Sequence, residues 1–406
     1  MNRIVSIAAR RSALARWQAY LVGAALHQVQ PNLEINYQFR ASLGDQRPDE
    51  PLWQMPEKGV FTEDLREELL GGRCDLLVHS WKDLPIEDHP RTCIAATLPR
   101  ADQRDLLLVN AERWKQVCDS GRLSVLTSSP RRAQNLQDIF PSALPASPQH
   151  IEFVPVRGNI QTRVQKLFSG TAQGLIVAKA ALDRLLETTM DEFAESRDEL
   201  RSALAGCYWM VLPLRWNPTA PGQGALAIEA RRADAELISN LQAINCAETY
   251  AAVESERRIL RAHGGGCHQA IGASVLRRNT GILTFVRGLS QDGTLLQTAS
   301  LQPNQHCART YTEREQITWA ERKARSVPDG NPFLQPLWVA KDYVLPVEWA
   351  IPPTQLVWTS ELDTWRELAG RGIWVNGSAE GLGEEESPRI ATLYGQSPEW
   401  LKFTQA

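Results

Sequence analysis

Cys267 has the most distinctive chemical setting in this chain. It closes the run Gly264-Gly265-Gly266-Cys267-His268, directly after a helical pattern over 250–261. Glycines let the backbone turn sharply and let a bulky group come close. A cysteine at the tip of such a loop is held out and aimed, and its thiolate can carry a covalent group. The plain alternative is a small buried hydrophobe, the usual state of a free cysteine.

Asp83 is the second candidate. It follows the apolar run Asp75-Leu76-Leu77-Val78-His79-Ser80, within Trp81-Lys82-Asp83-Leu84-Pro85. A run this continuous reads as a buried parallel strand. In open α/β sheets the loops at strand carboxyl ends hold the chemistry. A carboxylate there can stabilise a cation or relay a proton. The alternative is a turn aspartate before a proline.

The third signal is a series of arginines at strand ends and helix starts. Arg10-Arg11-Ser12 ends one strand-like run and opens a helical pattern over 13–29, with Ser12 as the N-cap. Thr127-Ser128-Ser129-Pro130-Arg131-Arg132 repeats the device, with serine at the N-cap and proline in the first turn. Arg157, Arg163 and Arg184 follow in the same setting. Free N–H groups at a helix start and a guanidinium beside them make an anion site. So many bidentate carboxylate binders in a chain of net charge −3 point to a small, multiply anionic ligand. Nucleic acid would call for aromatics interleaved with these arginines, and the motifs carry none.

The elements that must hold these residues are α/β throughout. Strand-like runs over 34–39 and 75–80 belong with the first helix, and the pattern restarts near residue 105 with strands over 123–126, 153–156 and 174–178. Further strands are expected over 212–216 and 225–229, the latter returning to the first sheet. A third unit begins near residue 233, with strands over 271–276, 283–289 and 295–301 and a closing helix over 309–326. Seven of the 13 tryptophans lie at or beyond Trp319, so the composition shifts there. Pro352-Pro353 reads as a linker, with a short strand-helix-strand pattern after it. The expected division is 1–105 (with a return segment, 210–230), 106–209, 231–326 and an extension, 327–406, without a catalytic role.

At 406 residues the chain is too long for one core. Its 22% charged and 43% hydrophobic residues are those of a globular protein. Seven scattered cysteines without CxxC pairs suggest reduced thiols and neither disulfides nor zinc. The N-terminus reads straight into a strand, and no apolar run reaches membrane-spanning length. The expectation is a cytoplasmic protein, without membrane or nucleic-acid partners, acting as a monomer.

Over residues 3–325 the chain resembles porphobilinogen deaminases (hydroxymethylbilane synthases). The resemblance rests on ordered motifs: Ala9-Arg10-Arg11-Ser12 with Trp17-Gln18-Ala19; Lys58-Gly59-Val60-Phe61; Val78 to Pro85; Thr127 to Arg132; Arg157-Gly158-Asn159 with Thr162-Arg163; Pro221-Gly222-Gln223-Gly224-Ala225; and Gly264-Gly265-Gly266-Cys267 with Ile271-Gly272. It implies two doubly wound domains similar to type II periplasmic binding proteins, with a cleft between them, a small α+β third domain presenting Cys267, and a C-terminal extension outside the family.

The implied activity joins four porphobilinogen molecules head to tail, releases ammonia each time, and frees linear hydroxymethylbilane. The implied cofactor is a dipyrromethane in thioether linkage to Cys267. By resemblance Ser80, Lys82, Thr127, Ser129, Arg131, Arg132, Arg157, Arg163 and Arg184 hold cofactor and growing chain. Arg10, Arg11, Ser12, Gln18, Lys58 and Phe61 lie at the incoming substrate, and Asp83 is the catalytic carboxylate, stabilising the cation left when ammonia departs. The strand-like pieces of the extension resemble a fragment of uroporphyrinogen III synthase, which would make that enzyme a partner. A different class of function, a non-catalytic two-domain binder of acids, would need neither Asp83 nor Cys267.

Overall fold

The computed structural model describes residues 4–40, 62–264, 270–304, 333, 335–383 and 386–403. Lys58, Phe61, Cys267 and the expected helix over 309–326 lie outside them.

The first sheet begins with β1 (Ile4–Arg10), α1 (Ala13–Val29) and β2 (Glu34–Arg40), continues through α2 (Glu63–Leu70) to β3 (Leu76–Ser80), and includes β4 (Thr92–Ala96). The chain then crosses to a second sheet. This holds β5 (Asp105–Asn110), α3 (Ala111–Ser120), β6 (Arg122–Leu126), α4 (Pro130–Leu136), α5 (Phe140–Ala143), β7 (His150–Val154), α6 (Ile160–Ser169), β8 (Gly174–Ala178), α7 (Lys179–Glu187), α8 (Ala194–Ala205) and β9 (Cys207–Val211). A return crossover over 212–225 delivers β10 (Leu226–Arg231) to the first sheet.

The strand orders are β2-β1-β3-β10-β4 and β7-β6-β8-β5-β9. In each sheet four strands share one direction, and the strand next to the edge is antiparallel and adjoins a crossover: β10 pairs with β3 and β4, and β5 with β8 and β9. Two doubly wound α/β domains joined by two crossovers in this way have the type II periplasmic-binding-protein arrangement. The expected strand over 212–216 lies instead at Cys207–Val211. The apolar run continues past Val211, but Pro213 has no N–H to donate to a ladder, and pairing stops before it.

α9 (Ala235–Leu241) still packs Leu237 and Leu241 into the core of the first domain. The third unit holds α10 (Ala247–Ala262) and an antiparallel sheet of β11 (Ala270–Arg278), β12 (Gly281–Leu289) and β13 (Leu295–Pro303). Glu256 of α10 fastens it to both crossovers. This wholly buried carboxylate takes the Arg100 guanidinium on its two oxygens at 2.7 and 2.8 Å, and the N–H groups of Gly222 and Val275 at 2.9 Å each. The helix that leads to the Cys267 loop is therefore anchored where the two domains join.

The extension forms a parallel sheet of its own, ordered β16-β15-β14-β17. Its elements are β14 (Leu337–Val339), β15 (Val357–Thr359), α11 (Leu362–Gly370), β16 (Gly377–Ser378), α12 (Ala391–Tyr394) and β17 (Leu401–Phe403). Pro352-Pro353 is thus no linker; it lies in the connection between two strands of one sheet. Nor does the sheet stand apart. The Asn376 oxygen accepts the Val211 N–H at 2.8 Å while its N–H donates to Val357 at 2.8 Å, so the edge of the second domain's sheet runs on into the extension. Trp365 and Trp374 are buried against Trp216, Trp114 and Tyr208, and one continuous apolar core spans both parts.

Candidate active site

A cleft of about 720 Å³ separates the first two domains, and its walls come from strand carboxyl ends and the helices after them. On the first domain, β1 ends at Arg10, and Arg11 and Ser12 follow into α1. The Ser12 hydroxyl accepts the Ala15 N–H at 3.4 Å, as expected of an N-cap. Gln18, one turn further on, is buried and hydrogen-bonded to Ser80 at the end of β3, with contacts of 3.1 and 3.2 Å. A 3₁₀ turn, Trp81–Asp83, then presents Lys82 and Asp83 to the cleft. Trp81 is buried behind them, which fixes the turn. Asp83 is exposed and makes no ion pair among the described residues.

The opposite wall carries Arg132, Arg157, Arg163 and Arg184. Ser129 caps α4 through the Arg132 N–H at 3.4 Å, and Asn159 caps α6 through the Thr162 N–H at 2.8 Å. The Arg163 Nε donates to the Gly158 oxygen at 2.8 Å, leaving the rest of its fork toward the cleft. One Arg157 nitrogen, Nη1, is buried without a hydrogen-bond partner. Burial pushes the Arg163 guanidinium down to about 10, helped by its neighbours Arg132 and Arg157 and opposed by Asp83. Burial likewise pushes Arg184 down to about 10. Crowded, desolvated cations of this kind favour an anionic ligand that would restore their balance.

Arg131 is not among the residues that line the cleft. It is turned away from the cleft, donating to Asn217 at 2.8 Å, the Pro218 oxygen at 2.7 Å and Asp105 at 2.8 Å. Arg132 takes the other Asp105 oxygen at 2.6 Å. Asp105 is wholly buried and held ionised well below the usual carboxylate range: burial opposes ionisation, and Arg132 and Arg131 overcome it. Thr127 and Ser129 also sit behind the wall. The Thr127 hydroxyl accepts the Ser129 N–H, and the Ser129 hydroxyl is engaged in its cap. Ser128, which sequence reasoning passed over, is the serine of that motif on the cleft.

Two further residues were missed. Asp105 gives no local signal, because its partners lie 26 residues or more away. Gln223 lines the cleft floor and accepts a hydrogen bond from Lys82 at 3.2 Å. Its flanking glycines were the signal that could have found it. Among the described residues no cluster of His, Cys, Asp and Glu could hold a metal, and no helix is long and apolar enough to cross a membrane.

The arrangement can bind several carboxylates on one wall while holding one carboxylate free on the other. Residues 5–239 match the family model described as porphobilinogen deaminase, dipyromethane cofactor binding domain. The porphobilinogen deaminase of Acidothermus cellulolyticus is 39% identical over 274 residues, covering 66% of this chain and 74% of that one. That of Chloroherpeton thalassium is 35% identical, covering 67% and 79%, and that of Syntrophomonas wolfei 34% identical, covering 72% and 87%. With more than half its length in the family model and relatives at this identity over most of their own length, the chain belongs to the porphobilinogen deaminase family.

Proposed function

We propose that the chain is a hydroxymethylbilane synthase, a transferase that condenses four porphobilinogen molecules head to tail on a dipyrromethane carried by Cys267, releases ammonia at each step, and frees the linear tetrapyrrole by hydrolysis. The observation that carries this reading is the Asp83 carboxylate, without an ion pair among the described residues, facing a wall of arginines across the cleft. A passive binder of acids would lose affinity by placing a carboxylate there. An enzyme that must stabilise a cation on an otherwise anionic substrate needs one.

The residues fit the cofactor. Its acetate and propionate groups match the buried, unsatisfied Arg157 Nη1 and the forks of Arg163 and Arg184. When bound, it supplies the pyrrole end to which each new ring is joined. Lys82, Arg132, Arg157, Arg163 and Arg184 hold carboxylates of cofactor and chain. Arg10, Arg11, Ser12 and Gln18 receive the incoming porphobilinogen. Asp83 accepts pyrrole N–H groups, stabilises the cation left by the departing ammonia, and passes the proton that the amine needs. Lys58 and Phe61 belong to the same end of the substrate by resemblance. No described residue of the extension lines the cleft, so the described part of the site lends no support to a joint activity with uroporphyrinogen III synthase.

The test is the intact mass of the purified chain beside Cys267→Ala, with ammonia release measured on the same samples. An excess mass of two linked porphobilinogen-derived rings, absent from the variant, and ammonia released only by the parent chain are expected. An unmodified parent chain, still unmodified after incubation with porphobilinogen, would sink the reading and leave the binding protein in front.

A further inference from the structure

Gln223 occupies an unusual place. It lies in the return crossover, buried, between Gly222 and Gly224, whose φ angles are +78° and +85°. A Cβ at Gly222 would stand 3.1 Å from the Trp81 Cβ and 3.2 Å from the Lys82 nitrogen, and one at Gly224 would stand 2.7 Å from the Ala101 oxygen. Left-handed backbone and close approach both demand glycine at these two positions. Together they let the return crossover wedge one side chain between the catalytic turn and the outgoing crossover.

That side chain is fully used. Its Oε1 accepts from Lys82 Nζ at 3.2 Å. Its Nε2 donates to the Gln103 oxygen at 2.7 Å and to Asp105 Oδ1 at 2.8 Å. Both of those partners can only accept, so the amide nitrogen must face them and the amide oxygen must face Lys82. Its backbone oxygen accepts Arg100 Nε at 2.9 Å. Lys82 on the first domain, Asp105 on the second and Gln103 in the outgoing crossover therefore meet on one amide.

We propose that Gln223 is a positioning residue for the condensation: its amide aims the Lys82 ammonium into the cleft and ties that aim to the two crossovers joining the domains. This deepens the functional reading above and rests on its assignment of Lys82 to the carboxylates of cofactor and chain. A glutamate here would set a second carboxylate against Asp105 and a carbonyl. An apolar isostere would leave Gln103 and Asp105 each short of a donor and Lys82 without its acceptor.

The charges around Lys82 make the idea measurable. Burial pushes the ammonium down to about 8; Asp83 on its own turn and Asp105 on β5 oppose this, and Arg132 and Arg131 on α4 add to it. The cationic form is thus lost as pH rises through about 8, and removing a dipole aimed at it moves that loss to lower pH.

The experiment compares the pH profile of kcat/KM for porphobilinogen in the full chain and in Gln223→Met and Lys82→Met, each first checked for cofactor by intact mass. Expected are a loaded Gln223→Met whose alkaline limb lies about one pH unit lower, with kcat/KM down about fivefold at pH 8 and about tenfold from pH 9 upward, and a Lys82→Met without that limb. A limb unmoved in Gln223→Met but absent in Lys82→Met overturns the positioning role and leaves the reading of Lys82 intact. A limb that survives in Lys82→Met overturns both. Should Gln223→Met not accumulate as folded protein, Gln223→Asn, which keeps the amide but withdraws it by one methylene, is read by the same profile and the same outcomes.

Discussion

Asn376 holds Trp209 and its strand through both backbone and side chain: its Nδ2 donates to the Trp209 oxygen at 3.0 Å, one residue pair from the 2.8 Å bond between its own oxygen and the Val211 N–H. Its Oδ1 accepts the Val357 N–H at 2.9 Å, so one side chain bridges two sheets. Asn376→Ala leaves the buried Val357 N–H without its acceptor, takes one of two side-chain donors from the Trp209 oxygen, and should cost about 1–3 kcal/mol. Trp374→Ala, which also removes a donor to Trp209 and opens a void beside Trp114, should cost about 3–5 kcal/mol. Denaturant unfolding of the second domain checks both. Stabilities equal to the parent chain's would show that the extension is a separate body.

Asp83→Ala should lower kcat by about 10²–10³-fold, the scale of losing one preorganised electrostatic partner. Asp83 is exposed and has no ion pair among the described residues, so thermal stability should stay within the usual small range for surface changes. Steady-state turnover with a melting curve separates the two. Near-normal turnover would remove Asp83 from the chemistry.

Arg163→Gln should weaken retention of the anionic chain by about 1.5–3 kcal/mol, the worth of a hydrogen bond to a charged group. The loss should show as a raised KM and more cofactor-free enzyme, with little change in folding, since among the described residues its side chain bonds only the nearby Gly158 oxygen. Titration of KM against ionic strength is the check: the parent chain's dependence should be steeper.

Glu229 should make the fold acid-sensitive. It is buried, 2.8 Å from Arg66 Nε, 3.1 Å from His79 Nε2, and hydrogen-bonded by Thr92. Burial alone would raise it; His79, Arg66 and Thr92 outweigh that and hold it at about 2, below its ordinary 4.5. A carboxylate depressed on folding contributes stability that is present above its unfolded value and lost as pH falls through the folded one. The contribution, about 3 kcal/mol, is complete above pH 5 and declines between pH 4.5 and 2. Unfolding free energies of the parent chain and Glu229→Gln should differ in slope over that window, and parallel curves would refute the account.

Local chemistry made the caps, the strand ends and the cleft arginines legible. Ser12 and Ser129 cap the helices beside the cleft because short polar side chains reach back to free N–H groups whatever the tertiary context. Arg131 and Arg132 read alike in their motif, and both reach Asp105. What separates them is the return crossover, whose Asn217 and Pro218 take the rest of the Arg131 fork while Arg132 stays on the cleft, a contact that no local pattern encodes. Pro352-Pro353 misled for a related reason: two prolines mark any segment without ladder hydrogen bonds, whether a linker or a surface connection between parallel strands. The tryptophans of the extension gave a composition shift but not their partners, which lie on β9 and α3 far upstream.

The return of β10 to the first sheet also sets a timetable for synthesis. The second doubly wound sheet is drawn from one stretch of chain, 105–211, whereas the first needs β10 from beyond it. The second has all five once residue 211 has left the ribosome, whereas the first, though begun earlier, waits for β10 at 226–231. Even then the β9 edge lacks its cover until Asn376 arrives, roughly ten to thirty seconds later at about 5–20 residues per second. Until then Trp209 and the apolar face beneath it stand open at a strand edge, the kind of surface that chaperones bind and that neighbouring nascent chains can pair with.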